Sequence, residues 1–235
     1  MDYFYQPEIL KGKHQLSKED SRHCCLVLRK KEGDIIQIIN GNGGSFLCKL
    51  IVADPKKTIF EILEEKNLIK PEFSINIAIS PTKSMDRMEW FIEKTAEIGI
   101  DDIYFIRCSH SERKVIKTER MIKKAVSAIK QSGNSFLPKI HQLINFEDYL
   151  RLPTIKDEKY ICHQVLGKGS FLSTIAPDKK KYHILIGPEG DFSKEELDLA
   201  KESMFKPVSL GNSRLRTETA GVVACTLLNA VNIQK

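Results

Sequence analysis

From Pro71 onward the chain alternates short apolar segments with amphipathic ones, and this alternation constrains the fold more than any other feature of the sequence. Residues 73–80 alternate apolar with polar or small side chains, which predicts a strand. Apolar residues then recur at three- and four-residue spacing from Met85 to Ile98, which predicts a helix that ends at Gly99. Strands that alternate with helices in this way predict an α/β fold, with a mainly parallel sheet covered by helices on both faces.

The same patterns predict the remaining elements after Pro71. Strands are expected at 103–106, 160–164, 182–186 and 208–210, and helices at 118–133, at 193–204 and from Thr217 or Thr219 to the end. Ser193 and Glu196 have the spacing of a capping box, in which each side chain bonds the other residue's backbone N–H. Ligands of parallel sheets bind at the loops beyond the carboxyl ends of the strands.

The first seventy residues have a different pattern, which predicts a small β-rich module that ends near Lys70-Pro71. Two β-branched or apolar runs, 35–39 and 45–51, flank a segment rich in glycine and asparagine, and a third run follows at 58–63. We interpret Gly41, Gly43 and Gly44 as turn residues, because their spacing does not fit a phosphate-binding loop and no helix follows.

Composition excludes several classes of protein. Hydrophobic residues make up 41% of the chain and charged residues 29%, enough to form a core. The six cysteines have no zinc-like spacing, and the N-terminus lacks the pattern of a signal peptide. No window approaches the roughly 20 apolar residues that cross a bilayer. We therefore expect a cytoplasmic protein with reduced thiols and no metal site, in which Cys24 and Cys25 belong to the core.

Positive charge is concentrated in one stretch. Eight basic and two acidic residues lie between Arg107 and Lys130, an excess equal to the net charge of +6 of the whole chain. Two interpretations are open, a solvated helix face and a patch that contacts nucleic-acid phosphates.

Two loops that follow predicted strands carry the strongest signs of a ligand site. The first, Gly187-Pro188-Glu189-Gly190-Asp191, leads into the capped helix, and its glycines allow close approach to the backbone. The second, 211–218, holds Gly211, two arginines and a glutamate, which suit an anionic or polar ligand. For both loops the alternative is a purely structural turn. A third segment, Val165–Ser170, is either another ligand loop or a plain connection.

These motifs together resemble the family of ribosomal RNA small subunit methyltransferases E, of the SPOUT superfamily. The resemblance rests on Ile186-Gly187-Pro188-Glu189-Gly190 and on the segment from Leu210 to Ala220. It extends upstream, in order, through Leu26–Arg29 with Gly33-Asp34, Met88–Trp90 with Glu93-Lys94, Ser111–Arg113 and Gln131–Gly133. Two positions depart from it: Asp191 stands where many relatives have glycine, and Asn134 where many have arginine.

The resemblance implies a PUA-like, RNA-binding β-barrel over residues 1–71 and a SPOUT methyltransferase domain with a trefoil knot over 72–235. It implies a homodimer that transfers methyl from S-adenosylmethionine to N3 of a uridine near the 3′ end of 16S rRNA in the small ribosomal subunit. Residues 162–167 would form a third wall of the cofactor site. The implied cofactor-binding residues are Leu185, Ile186, Gly187, Pro188, Gly190, Leu210, Gly211, Leu215 and Thr219, and the implied RNA-binding residues are Arg29, Arg113, Lys114, Lys117 and Arg120.

The implied reaction suggests catalytic roles for three residues. Uracil N3 carries a proton at neutral pH, so a cation beside the uracil oxygens would stabilise the anion that forms. Arg216 is the first candidate and Arg214 the second, while Glu218 either accepts the proton or orients an arginine. The N3 atom lies on the pairing edge, so the target base must be unpaired or extruded. The alternatives are a related knotted methyltransferase that acts on another base or a ribose 2′-oxygen, and a non-catalytic RNA-binding or assembly factor.

Overall fold

The computed structural model describes residues 2–12, 14–153, 155, 158–163 and 170–233. The chain forms two compact units, the first from Met1–Lys70 with Val126–Leu137 and the second from Pro71–Ala125 with Pro138–Lys235. The predicted third loop at Val165–Ser170 lies almost wholly outside the described residues.

The first unit is built on a four-stranded sheet. Its strands are β1 (Tyr3–Tyr5), β2 (Ile35–Ile39), β3 (Gly44–Val52) and β4 (Ile59–Asn67) in that spatial order. Strand β1 runs parallel to β2, and the other pairs are antiparallel. A 3-10 turn (Ile9–Lys11), helix α1 (Lys18–Arg22) and a π-helical turn (His23–Val27) lie between β1 and β2. The predicted β-rich module is therefore confirmed, although β4 continues beyond the expected Leu63.

The glycine-rich turn between β2 and β3 is held by one side chain. The Asn40 Oδ1 atom accepts hydrogen bonds from the backbone N–H groups of Asn42 and Gly44, at 2.8 and 2.9 Å. Gly41 and Gly43 have φ values of 79° and 92°, which L side chains rarely adopt. These two glycines are thus turn residues, as expected, whereas Gly44 already begins β3.

A core of aromatic, aliphatic and cysteine side chains fills the first unit. Alternate residues of β3 point inward, as the period of a half-buried strand requires. Cys24 belongs to this core, and burial raises the pKa of its thiol to about 12. At neutral pH it is an uncharged core residue and not a nucleophile. The buried members of this core are Phe4, Ile9, Leu16, Cys24, Ile36, Ile38, Phe46, Cys48, Leu50 and Phe60.

The second unit contains a seven-stranded sheet in which every recorded pairing is parallel. Its spatial order is β7-β6-β5-β10-β8-β11-β9. In chain order the strands are β5 (Ser74–Ile79), β6 (Asp102–Arg107), β7 (Lys139–Asn145), β8 (Glu158–Cys162), β9 (Ser170–Phe171), β10 (Lys181–Ile186) and β11 (Lys206–Ser209). The predicted parallel sheet is confirmed, and β7 and β9 are strands that the sequence patterns did not indicate.

Two helix ends form as the sequence predicts, the end of α2 (Met85–Ile98) and the start of α6 (Lys194–Glu202). Helix α2 ends at Gly99, whose φ of 109° suits glycine. The capping box of Ser193 and Glu196 is formed, with N···O distances of 2.8 and 3.2 Å. The helices are α2 (Met85–Ile98), α3 (Thr118–Ser132), α4 (Phe146–Leu150), α5 (Leu172–Ile175), α6 (Lys194–Glu202) and α7 (Thr217–Ile233). In the described part of the chain no helix is long and apolar enough to span a bilayer.

Helices cover both faces of the parallel sheet. Helix α7 packs on β5, β10 and α2. The opposite face carries α4 and α6, whose Phe146, Tyr149 and Ala200 form one core with Ala78 and Leu185 of the strands. The central strand β10 is buried at five of its six positions, as expected of a strand between two helical layers.

Helix α7 approaches the sheet closely because it carries a glycine at the contact. A Cβ atom on Gly221 would lie 2.5 Å from Cε2 of Phe91 and 3.2 Å from Cδ1 of Ile79. Phe91 is fully buried, so its ring has no free space into which to move.

We expect Gly221→Ala to destabilise the protein by about 1–3 kcal/mol, because the added methyl group overpacks this contact. In an exposed helix the same change would stabilise by up to about 1 kcal/mol. Denaturant unfolding of the single variants and of the double variant with Phe91→Leu measures the effect, and the double variant should recover part of the loss. A stabilised Gly221→Ala protein would contradict the close packing.

Candidate functional site

A cavity of about 350 Å³ opens at the carboxyl ends of three neighbouring strands of the parallel sheet. Ile186 of β10 and Val208 of β11 both pair with Cys162 of β8, so the three residues lie side by side. All three line the cavity. Burial raises the pKa of the Cys162 thiol well above its usual range, so this wall is uncharged at neutral pH.

The loop that follows β10 forms one side of the cavity. Gly187, Pro188, Glu189 and Asp191 line it, and the Asp191 N–H closes a turn by bonding the Pro188 carbonyl at 3.0 Å. A Cβ atom on Gly187 would lie 3.0 Å from the Phe192 ring, which is buried in the core under α6. A side chain at 187 would therefore crowd the Phe192 ring.

The loop that follows β11 forms the opposite side. Leu210, Gly211, Ser213, Arg214, Leu215 and Arg216 line the cavity. Gly211 has a φ of 154°, and a Cβ atom there would meet no atom within 4 Å. Open space beside this glycine leaves room for a ligand. The Thr217 hydroxyl donates to the Gly187 carbonyl at 3.1 Å, so the two loops are joined at the start of α7.

The two arginines of the second loop differ in their contacts. The Arg214 guanidinium donates to the backbone carbonyl of Glu189 at 3.2 Å, which is a second link between the loops. The Arg216 side chain is exposed, and its guanidinium forms no hydrogen bond or ion pair with any residue in the described ranges. Arg216 therefore keeps all its donors available to a ligand, whereas Arg214 has one donor engaged by the protein.

Glu218 is buried in the first turn of α7, and its partner is an arginine that the sequence analysis did not single out. Its Oε1 atom lies 3.7 Å from Nε of Arg87 on α2. Its Oε2 atom is buried and has no hydrogen-bond partner among the described residues. A buried carboxylate needs a positive or hydrogen-bonding neighbour, so Arg87 and Glu218 hold each other in place.

Four of the residues assigned to the site do not line this cavity. Leu185 points into the core of the opposite face, because successive strand residues alternate between faces. Gly190 is exposed and lies against His110, and Glu218 and Thr219 lie in the first turn of α7. The assigned residues that do line it are Ile186, Gly187, Pro188, Leu210, Gly211, Arg214, Leu215 and Arg216.

One pair in the cavity wall was missed by the sequence analysis. His163, which directly follows β8, lines the cavity, and its Nδ1 atom lies 2.9 Å from Oδ2 of Asp191. The contact does not meet hydrogen-bond geometry, so it is an ion pair only when His163 is protonated. In the sequence, the signal for a role of His163 was its position near the end of a predicted strand. No group of three metal-ligating side chains is found within the ranges that the structure describes.

Comparison with known proteins identifies the family. Residues 70–229 match the family model of an RNA methyltransferase domain, and residues 16–63 match that of an RNA methyltransferase PUA domain. The ribosomal RNA small subunit methyltransferase E of Buchnera aphidicola is 32% identical to this chain over 92% of it and 87% of the relative. The chain belongs to the ribosomal RNA small subunit methyltransferase E family.

Solved structures of relatives have the same fold. A probable rRNA methyltransferase from Porphyromonas gingivalis is 37% identical and superposes with a TM-score of 0.92 over 99% of each chain. A ribosomal RNA small subunit methyltransferase E from Neisseria gonorrhoeae, bound to S-adenosyl methionine, is 25% identical. It superposes with a TM-score of 0.87 over 99% of this chain and 98% of its own. The expected combination of a small N-terminal β domain and a parallel-sheet domain is thereby confirmed.

The basic residues that the family resemblance assigns to RNA differ in availability. The Arg113 guanidinium donates to the carbonyls of Thr82 and Lys83, and Arg120 forms ion pairs with Glu89 and Asp86. Lys114 lies beside Arg107 and Asn145 in a second cleft, of about 600 Å³, at the ends of β6 and β7.

The remaining candidates for RNA contact are exposed. Lys114 and Lys117 have no side-chain partner in the described ranges. Arg29, in the first unit, is exposed and has a φ of 56°. The basic stretch therefore contains both a paired set that stabilises the fold and a free set.

Proposed function

We propose that this chain methylates N3 of a uridine in the rRNA of the small ribosomal subunit, with S-adenosylmethionine as the methyl donor. The observation that carries the proposal is the cavity between the loops after β10 and β11, with the unpaired guanidinium of Arg216 in its wall. Family membership supplies the reaction class and the cofactor. The choice of uridine as the target base and of N3 as the target atom rests on the resemblance to the family.

The residues of the cavity fit this cofactor. A volume of about 350 Å³ lies within the range of small-molecule sites, roughly 300–1,000 Å³. Ile186, Val208, Leu210 and Leu215 provide an apolar wall for the adenine ring, and the turns provide backbone groups for its polar edge. Gly211 leaves space for close approach. When bound, the cofactor supplies an electrophilic methyl group that needs no metal.

We assign to Arg216 a role at the base. As uracil N3 loses its proton, negative charge develops on the neighbouring oxygens, and a guanidinium that donates to them would stabilise that charge. Arg214 holds the loop through the Glu189 carbonyl and is the second candidate for this role. Glu218 is buried against Arg87, so we assign it a positioning role at the start of α7 and not proton transfer.

The remaining parts of the proposal concern RNA recognition and assembly. We propose that residues 1–71 form the PUA-like RNA-binding barrel and that residues 72–235 contain the trefoil knot expected of the superfamily. Arg29, Lys114 and Lys117 are the exposed cations that would contact phosphates. We further propose a homodimer that acts in the cytoplasm, where the subunit is assembled.

Mass spectrometry of nucleosides from 16S rRNA, with and without the gene, tests the proposal. N3-methyluridine should disappear when the gene is deleted and return with the wild-type gene. Loss of another methylated base or of a ribose 2′-O-methyl group would indicate a related methyltransferase instead. An unchanged nucleoside profile, together with failure to bind S-adenosylmethionine in calorimetry, would indicate an RNA-binding or assembly factor.

We expect Gly211→Ala to weaken S-adenosylmethionine binding about tenfold, which corresponds to ~1.4 kcal/mol, because the methyl group occupies space used by the ligand. Gly33→Ala is the matched control. Both glycines have positive φ, and neither has an atom within 4 Å of an added Cβ, but Gly33 lies in the first unit. The melting temperature of each variant measures the strain that the substitution adds, and calorimetry measures its effect on cofactor affinity. Equal cofactor affinity in both variants would place the cofactor elsewhere.

We expect Arg216→Ala to lower the single-turnover methylation rate about 10²–10³-fold at saturating cofactor and RNA, the usual loss for one preorganised donor. Cofactor affinity should change little. Arg216→Lys should recover little, because an ammonium does not replace the planar fork. Arg214→Ala should instead weaken cofactor binding, because it releases the Glu189 carbonyl. Near-normal single-turnover chemistry in folded Arg216→Ala protein would refute the catalytic role.

We expect the double variant Lys114→Ala, Lys117→Ala to weaken binding to the small subunit or its rRNA and to flatten the salt dependence by about one to two units of slope. Cofactor affinity should not change. Arg113 is left intact because it holds the carbonyls of Thr82 and Lys83. The control, Glu93→Ala with Lys124→Ala, removes an ion pair between α2 and the same stretch without changing net charge. An unchanged slope would make the stretch a solvated surface.

A further inference from the structure

Asp191 is fixed in the cavity wall more firmly than its exposed neighbours. Its φ of 63° is uncommon for a residue with a side chain. The Oδ1 atom accepts the Phe192 N–H at 2.8 Å, and Oδ2 lies 2.9 Å from His163 Nδ1. Its backbone carbonyl lies 2.9 Å from Nδ1 of His110. The Phe192 N–H therefore holds the carboxylate, and the His110 contact holds the backbone of the same residue.

The charged side chains of the cavity divide between its two sides. Asp191 and Glu189 stand on the loop after β10, and Arg214 and Arg216 on the loop after β11. Glu189 is exposed and is held through its backbone carbonyl and not through its carboxylate. Asp191 is thus the carboxylate whose position in the wall is set by the protein.

A methyl donor and its product differ in charge at one atom. S-adenosylmethionine carries a positive sulfonium, whereas S-adenosylhomocysteine has a neutral thioether of almost the same shape. The shape of a pocket alone gives little discrimination between the two. A fixed negative charge nearby attracts the sulfonium and not the thioether, and the attraction extends over several ångströms in a partly buried cavity.

We propose that Asp191, whose carboxylate is held by the Phe192 N–H, is a charge-selecting residue that favours the cationic methyl donor over its neutral product. The inference rests on the proposed function, since it assumes that the cavity holds this cofactor. By weakening product binding relative to donor binding, Asp191 reduces product inhibition.

Calorimetric titration of the full-length chain at one fixed, mildly alkaline pH tests the proposal. The probes are S-adenosylmethionine, S-adenosylhomocysteine and sinefungin, in which an ammonium replaces the sulfonium. We expect Asp191→Asn to weaken binding of the two cationic probes about five- to tenfold and to change binding of S-adenosylhomocysteine less than about twofold. Asp191→Gly is compatible with the positive φ and should change the ratio of donor to product affinity by the same factor. It replaces the asparagine variant if that variant does not fold.

Asp198→Asn is the matched control, because it removes one carboxylate from the exposed side of α6, outside the cavity lining. Its ratio of donor to product affinity should equal that of the wild type. Equal weakening of all three probes by Asp191→Asn, or an unchanged ratio in both Asp191 variants, would overturn the proposal. If the wild-type protein bound none of the probes, the assignment of the cofactor itself would be wrong.

Discussion

The common register of the parallel strands is the constraint on which the site depends. Because β8, β10 and β11 run in the same direction and pair at Cys162, Ile186 and Val208, their loops begin at one level and on one edge of the sheet. The loops that follow β10 and β11, separated in the chain by α6 and β11, then face each other across the cavity. The cavity is a consequence of sheet geometry, and the loop sequences determine what it accepts.

The link between the two loops of the site is supported by the close packing of α7 against α2 and β5. Gly221 allows this helix to lie against Phe91 of α2 and Ile79 of β5. This contact fixes the position of the first turn of α7 relative to the sheet. That turn carries Thr217, bonded to Gly187, and Glu218, paired with Arg87. Packing at a residue remote from the ligand thus sets the position of the groups that join the two loops.

Much of the fold could be predicted because its signals are local. The Ser193 capping box, the glycine that ends α2 and the β-branched run of β2 each determine structure within a few residues. Strand β7 was missed because its sequence, KIHQLIN, mixes polar and apolar residues at the edge of the sheet, where burial is partial. The sequence placed the two glycine loops at strand ends, which the structure confirms.

The contacts within the site could not be predicted, because they join residues far apart in the chain. Nothing local in the sequence links Glu218 to Arg87 or Asp191 to His163. Counting charges identified the basic stretch. It did not show that Arg113 donates to a backbone carbonyl and that Arg120 pairs with a carboxylate. Leu185 was assigned to the cofactor with its neighbours, although strand alternation turns its side chain into the core.

The links at the two ends of the second loop also affect the entropy of ligand capture. Residues 211–214 and Arg216 are exposed, while Ser209 bonds the Gly211 backbone and Thr217 bonds Gly187. Fixing one free backbone residue costs about 1–2 kcal/mol of entropy, and these anchors are already formed without a ligand. The tethers therefore lower the entropic cost of binding, while the exposed side chains between them remain able to adapt to the ligand.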